Sequence, residues 1–567
     1  MHDLVIRNST IVDGTGAPAR SGDIAIDGGL ISSVSGKAGP GRREIDANGL
    51  LAAPGWVDIH THYDGQVAWD PYVTPSSWNG VTTVVMGNCG VGFAPVRRGK
   101  EPYLISLMDA VEDIPSETLA AGIKFEWETF GEYLDALSQM KRAIDIGAQV
   151  GHCAVRPYVM GERAADNTEA TADEIAQMAA VVRDSLKAGA LGFSTSRTFL
   201  HRTKEKGYVP GTFAKVAEIE TLARTLGEAG HGVFEIITDL TDDDADLAWL
   251  VRAAKATGRP VSLAAIVIGR SGFRTRELWE FVNQCNLEGA RIVTQVAARP
   301  TAVLMSLESS LHPFSTHRSY RPLARLGPME RVARMRDPKV RAEILADSPA
   351  VRERDTLGLV TDFEHYFPMG DPPDYEPVAE KSIGARARAL GVTPQELTYD
   401  TLLEREGREV IYVPRSYKGF NLDPYREMLT KPNSILSLSD GGAHCGTICD
   451  ANMPTYILSH WTRDRSRGDK LPLEFAVKLQ TSETARLYGL NDRGVLAEGK
   501  KADINLIDFA NLRVRAPEMV YDLPAGGRRF ISRADGYKHT IVSGEIVFQD
   551  GEPTGAMPGK VVRGGRQ

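Results

Sequence analysis

Cysteine is scarce: five in 567 residues, an odd number scattered at Cys89, Cys153, Cys285, Cys445 and Cys449. That pattern excludes the paired cysteine framework of a small disulfide-stapled domain and leaves each thiol as a buried apolar group or a ligand. No apolar run approaches the ~18 residues needed to span a bilayer. The opening Met1-His2-Asp3-Leu4 lacks the charged and apolar regions of a secretory signal, so the expected location is cytoplasmic. Excess charge is missing too. With 66 basic and 74 acidic residues the net charge is −8, which leaves no electrostatic footprint for a nucleic-acid backbone. The basic stretches "RTFLHRTKEK" and "VVRGGRQ" read as solvated faces.

What is present is a soluble globular composition, 42% hydrophobic and 25% charged, on a chain too long for one ordinary core. From residue 57 to about 440, short apolar segments alternate with amphipathic helices, the pattern of parallel βα units. In one unit Thr171 and Glu174 form a capping box, Ile175, Met178, Ala179, Val182 and Leu186 share a helical face, and Gly189 ends the helix. Strand candidates are "WVDIHTH", "TTVVMGNCG", "IDIGAQVGHC", "ALGFSTS", "GVFEIIT", "VSLAAIV", "RIVTQVA" and "SILSLSDGG". Eight such strands close most simply into a (β/α)8 barrel with its chemistry at the strand C-termini. The expected organisation is α/β: a β-sandwich from residues 1–54 and 489–567 flanking a barrel over 55–488. The Pro- and Arg-rich stretch of about 300–433, between strands 7 and 8, reads as a cap over the barrel mouth.

The first strand ends Asp58-Ile59-His60-Thr61-His62-Tyr63-Asp64, and histidines two apart on a strand project from the same face. Imidazole pairs of this kind bind zinc and its first-row neighbours. Cys89, at the second strand end among Gly87, Gly90 and Gly92, could add a thiolate or be a small buried hydrophobe. Asp440, at the eighth strand end in "SDGGAH", could accept a proton from an activated water and pass it to a leaving group, or cap a turn. His444 is a candidate to polarise a carbonyl or contact substrate. Arg197, Tyr63 and Ser194 are candidates for substrate binding, Arg197 by pairing with a carboxylate. His152, Glu235 and His201 stand at other strand ends as further candidate ligands.

Together "HTHYDGQ", "GVTTVVMGNCGVGFAP", "GALGFSTSR", "SDGGAH", "RGVLAEGKKADINLID" and "GYKHTIVSGEIVFQDGEPTGAMPGKVVRG" resemble the amidohydrolase superfamily, in particular its N-acyl-D-amino-acid deacylase (D-aminoacylase) branch. The resemblance implies that His60, His62 and Cys89 are metal ligands and that Asp440 is the general acid/base. It also implies a β-sandwich built from both chain ends. One departure stands out: where that branch carries histidines after strands 5 and 6, this chain has Ile236-Ile237-Thr238-Asp239 and Leu263-Ala264-Ala265-Ile266. The expectation is therefore one divalent metal, zinc by its Cys/His donors, with Asp440 as fourth ligand or neighbouring base. The expected reaction is hydrolysis of a C–N bond in an N-acyl amino acid or related amide, with a small-molecule amide as partner and homo-oligomerisation left open. Lactone or cyclic-amide hydrolysis at the same site, and a non-catalytic scaffold, are the alternatives.

Overall fold

The computed structural model describes residues 1–204, 207–239, 243–264, 275–351, 354–437 and 439–565. Both chain ends enter one nine-stranded sheet. The N-terminal strands His2–Ile11, Arg20–Asp27, Leu30–Ser35, Gly41–Asp46 and Leu51–Pro54 join Ile504–Ile507, Tyr537–Val542, Glu545–Gln549 and Glu552–Pro553. The halves meet where Ile504–Ile507 runs antiparallel to Leu51–Pro54. The sheet folds back on itself around Leu4, Ile6, Ile24, Ile26, Ile31, Ile504, Leu506 and Ile541, which form one buried aliphatic core. Successive side chains point to opposite faces, so Leu4 and Ile6, Ile24 and Ile26, and Ile504 and Leu506 each fall on one face, while Val5, Ala25 and Asn505 between them are buried on the other.

Leu51–Pro54 passes directly into the barrel through Gly55. A Cβ on Gly55 would lie 2.2 Å from Thr82 Oγ1, so only glycine permits this approach. The barrel strands are β1 (Trp56–Asp58), β2 (Val81–Met86), β3 (Asp145–Ala148, continued by Val150–Gly151), β4 (Gly192–Arg197), β5 (Val233–Thr238), β6 (Val261–Ala264), β7 (Ile292–Val296) and β8 (Ser434–Leu436). All neighbouring pairs from β1 to β8 are parallel. The ring closes just beyond β1 and β8, where Thr61 bridges Gly441, His62 N donates to Gly441 O at 2.8 Å and Asp440 N donates to His60 O at 3.2 Å. Every strand overlaps a segment expected from the sequence, with Val81 of β2 and Arg197 of β4 one residue outside. The far end of "VSLAAIV", residues 265–267, and Leu438 lie outside the described residues.

The intervening helices follow the same logic. Ala172–Ala188 begins at the Thr171/Glu174 capping box and stops at Gly189, whose φ of +115° suits a residue without Cβ. The segment between β7 and β8, Pro- and Arg-rich in sequence, has elements of its own. It carries a small sheet of Ala302–Met305, Phe367–Pro368 and Ile411–Pro414, and helices including Pro328–Met335, Pro338–Ala346, Ile383–Leu390 and Pro394–Leu402. Three of its prolines open helices, where the missing N–H costs nothing, rather than breaking them. This insertion has its own core around Met305, Phe314, Tyr366, Tyr399 and Ile411, and reaches the loop after β8 through Leu304 N donating to Thr447 O at 2.7 Å.

A buried ion cluster ties the returning chain to the barrel. Asp145 on β3 meets Arg493 Nη1 at 2.6 Å and Lys501 Nζ at 3.0 Å. The Lys501 and Arg493 charges hold the Asp145 carboxyl below its ordinary range despite burial. Asp145→Asn removes the acid these two cations share, leaving Arg493 to Asp492 and Lys501 to Asp503, and is expected to destabilise the protein by about 1.5–3 kcal/mol. Differential scanning calorimetry should show a lowered melting temperature; an unchanged one would mean the cluster carries no stability.

Candidate metal centre

His60 and His62 extend from β1 into the barrel mouth, ring centroids 5.4 Å apart and planes at 69°. Thr61, between them, turns the other way and donates its hydroxyl to Val85 O at 2.9 Å. Cys89 arrives from the turn after β2. Gly87 and Gly90 have φ of +78° and +76°, and Cys89 itself adopts +55°. Such a conformation is costly for a residue with a side chain and persists only where its surroundings fix it. Here Asn88 donates to Thr61 O and Val85 O at 3.1 and 2.9 Å and accepts from Gln149 at 2.8 Å, while Cys89 N donates to Glu235 Oε2 at 2.8 Å.

The resulting donor set is compact. Ligand atoms of His60, His62 and Cys89 lie within 4.8 Å of one another, all buried, the one such group of three or more among the described residues. Cys89 Sγ is 3.3 Å from His60 Nε2. Asp440 Oδ1 stands 3.4 Å from His60 Nε2 and 3.7 Å from His62 Nε2, with its side chain 15% exposed. His60 Nδ1 faces Gln295 Oε1 on β7 at 2.7 Å, and that oxygen also accepts from Ser437.

Charge is the site's conspicuous problem. Glu112, Glu235 and Asp440 converge here, and among the described residues their ion-pair partners are histidines, never lysine or arginine. Burial pushes the Asp440 and Glu235 carboxyls up to about 8, drives the Glu112 carboxyl and the Cys89 thiol well up, and holds His60 and His444 down at about 4. His62 Nδ1, Glu112 Oε2 and Glu235 Oε1 are buried without hydrogen-bond partners. Two imidazoles, a thiol and a carboxylate around one point, each suppressed in its charged or ligating form, are a donor set that a divalent cation would satisfy. The residues fit such an ion.

The comparisons with known proteins agree. A family described as "Amidohydrolase family" matches residues 43–548. The chain belongs to the amidohydrolase family. Over 575 residues this amidohydrolase is 28% identical to an N-acyl-D-aspartate deacylase of Alcaligenes xylosoxydans xylosoxydans, covering 99% of this chain and 95% of that protein. A D-aminoacylase of the same organism is 26% identical, with 99% and 97% covered. Among solved structures, a D-aminoacylase studied for its binuclear metal centre superposes with a TM-score of 0.66 at 25% identity, covering 99% of this chain and 100% of that one.

Other expected site residues divide. His201 enters the mouth beside the cluster: its Nδ1 meets Ser196 Oγ at 2.9 Å, and burial with the neighbouring His444 and His60 holds it down at about 3. Arg197 is half-buried at the end of β4 and donates to Ala214 O at 2.8 Å. His152 does not serve the metal set, because Thr195 and Glu218 take its two ring nitrogens at 2.8 and 2.9 Å. Tyr63 and Ser194, expected to meet substrate, are corrected as well. Tyr63 is fully buried with its hydroxyl on Ser76, and Ser194 bonds Gly87 O at 2.5 Å and Gly90 N at 3.0 Å. Both support the loops beneath the site instead.

Glu112 and Gln295 were not anticipated. Gln295 had a visible signal, a polar residue in the strand "RIVTQVA"; Glu112, the last residue of the helix Glu101–Glu112, had none. Since Ser194 holds both flanks of the Cys89 turn, Ser194→Ala should cost about 1–3 kcal/mol through two unsatisfied backbone groups. Thermal unfolding measures this, and an unaltered melting temperature would remove Ser194 from the support of the turn.

Proposed function

We propose that this amidohydrolase hydrolyses the amide of an N-acyl amino acid, of D configuration by analogy with its deacylase relatives, using one divalent ion per chain, zinc by its donors. The observation that carries this reading is the convergence of His60, His62, Cys89 and Asp440 within one buried pocket. The count of one rests on β5, whose mouth-facing end offers Ile236 and Ile237 rather than an imidazole. His60, His62 and Cys89 would hold the ion, with Asp440 at its open side. When bound, it supplies Lewis acidity that polarises the scissile carbonyl and acidifies water.

The chain's own residues supply the proton handling. Asp440 is the most exposed of the converging acids at 15%, so it alone faces both the donor set and the entrance. As a carboxylate it accepts the proton of the attacking water at Oδ1. It then returns that proton to the amide nitrogen, without which the amine leaves as an anion too basic to depart. His444, with its side chain 28% exposed on the same loop, is placed to contact the substrate beside the reacting carbonyl. Arg197, whose guanidinium donates to Ala214 O and lies 6.0 Å from the Trp249 ring centroid, is the cation assigned to the substrate carboxylate.

Asp440→Asn is expected to lower kcat by ~10² or more, because asparagine cannot carry the proton. The readout is steady-state hydrolysis of N-acetyl-D-aspartate, N-acetyl-D-glutamate and N-acetyl-D-methionine against their L-isomers. Undiminished turnover by the variant, or no turnover of any amide by the metal-loaded wild type alongside hydrolysis of lactones, would contradict the reading.

A further inference from the structure

One buried group at the mouth has no part in the chemistry above. Glu112 is 1% exposed at the C-terminus of the helix Glu101–Glu112, too deep and too far round to reach the entrance. Its two carboxylate oxygens address two different histidines: Oε1 lies 3.3 Å from His62 Nδ1, and Oε2 lies 3.7 Å from His444 Nε2. For His62 this is the nitrogen turned away from the donor set, since its Nε2 is directed toward Asp440. His62 Nδ1 and Glu112 Oε2 are both buried and neither has a hydrogen-bond partner, so the approach of Oε1 to Nδ1 at 3.3 Å is an ion-pair contact between groups with nothing else to satisfy them. The helix end is fixed where it stands. Cys445 N donates to Glu112 O at 3.3 Å, and Asp113, with φ of +53°, accepts from Ser310 Oγ at 3.0 Å and from Thr447 Oγ1 at 3.4 Å.

We infer that Glu112 is a positioning residue that sets, through one carboxylate, both the metal-binding tautomer of His62 and the ring orientation of His444. An imidazole binds a metal through the nitrogen that lacks a proton, and the hydrogen bond made by its other nitrogen decides which that is. A carboxylate opposite Nδ1 keeps the proton there and leaves the Nε2 lone pair toward Cys89 and Asp440. His60 obtains the same service from neutral Gln295, at 2.7 Å, so the two ligand histidines are oriented by partners of different charge. The second oxygen carries the effect to the loop after β8, linking the ligand set to the group that faces substrate. This rests on the metal-centre reading above, and its test does not depend on substrate.

A structural carboxylate and a positioning one predict opposite pairings of stability and metal affinity. Leucine at 112 replaces a buried, cation-free acid by an apolar group, which leaves the metal-free fold as stable as before or more so. It also removes the partner of His62, which weakens zinc binding by about 10- to 100-fold, the usual effect of losing such a partner. The experiment is competition titration of zinc with a chromophoric chelator on full-length wild type, Glu112→Leu, Glu112→Gln and His444→Ala, with calorimetry of each metal-free protein. Expected are an undiminished apo melting temperature with the full loss of affinity for Glu112→Leu, and a smaller loss for Glu112→Gln, whose amide oxygen still accepts from Nδ1. His444→Ala should stay within about twofold of wild type, since that ring is no ligand.

Zinc affinity of Glu112→Leu equal to wild type would overturn the inference and leave the proposed function standing. Should the leucine variant fail to fold, Glu112→Gln decides alone, and equal affinity there overturns it too. A zinc-loaded structure with Glu112 bonded directly to the ion would also overturn it. Absence of zinc binding by the wild type would instead defeat the metal-centre reading itself.

Discussion

The site exists because residues 60–62 and 440–441 pair as neighbouring strand ends. The bonds His62 N to Gly441 O and Asp440 N to His60 O close the parallel ring, and in doing so set an acid from the far end of the barrel against two imidazoles from its beginning. Much of the rest serves that closure. Gly55 lets β1 enter flush with β2, Tyr63 braces the Gly441–Gly442 turn from below, and the sheet built from both chain ends clamps the entry to β1 against the returning chain. A loss of register by one residue would turn His60 and His62 away from the mouth together.

Electrostatics then gives the assembled site its character. A pocket holding a thiol, three carboxyls and several histidines, with no lysine or arginine paired to those carboxyls among the described residues, is poorly satisfied by protein alone. Burial presses each group toward its neutral form, and a divalent ion would reverse that preference for the Cys89 thiol and the Asp440 carboxyl while keeping the imidazoles neutral. Folding places the donors through hydrogen bonds that do not involve the ion at all: Asn88 and Ser194 under the Cys89 turn, and Gln295 behind His60. The centre is thus formed in advance, which spares binding much of the cost of ordering its ligands.

The fold was largely readable because its signals are local and periodic. All eight strands combine apolar runs with turn residues, and the helix Ala172–Ala188 announces both ends through Thr171, Glu174 and Gly189. His60, His62, Cys89 and Asp440 stood out because they sit at strand ends, where the barrel alone determines what meets. Side-chain direction did not stand out. Ser194 lies within β4 and His152 just past the end of β3, yet they turn to backbone and to Glu218, and no residue spacing distinguishes these from mouth-facing neighbours. Glu112 was invisible for a related reason: on its helix it is one acid among several, and only tertiary packing brings it to His62. The prolines of the insertion say little by themselves, because their meaning depends on whether a helix follows.

The account's central claim is that one cation occupies the space between β1, the β2 turn and the loop after β8. Anomalous diffraction from crystals of the zinc-loaded protein tests it most directly. The prediction is a single strong peak about 2.0–2.1 Å from the Nε2 atoms of His60 and His62 and about 2.3 Å from Cys89 Sγ. A peak elsewhere with this pocket empty, or two peaks of equal strength within it, would contradict the account.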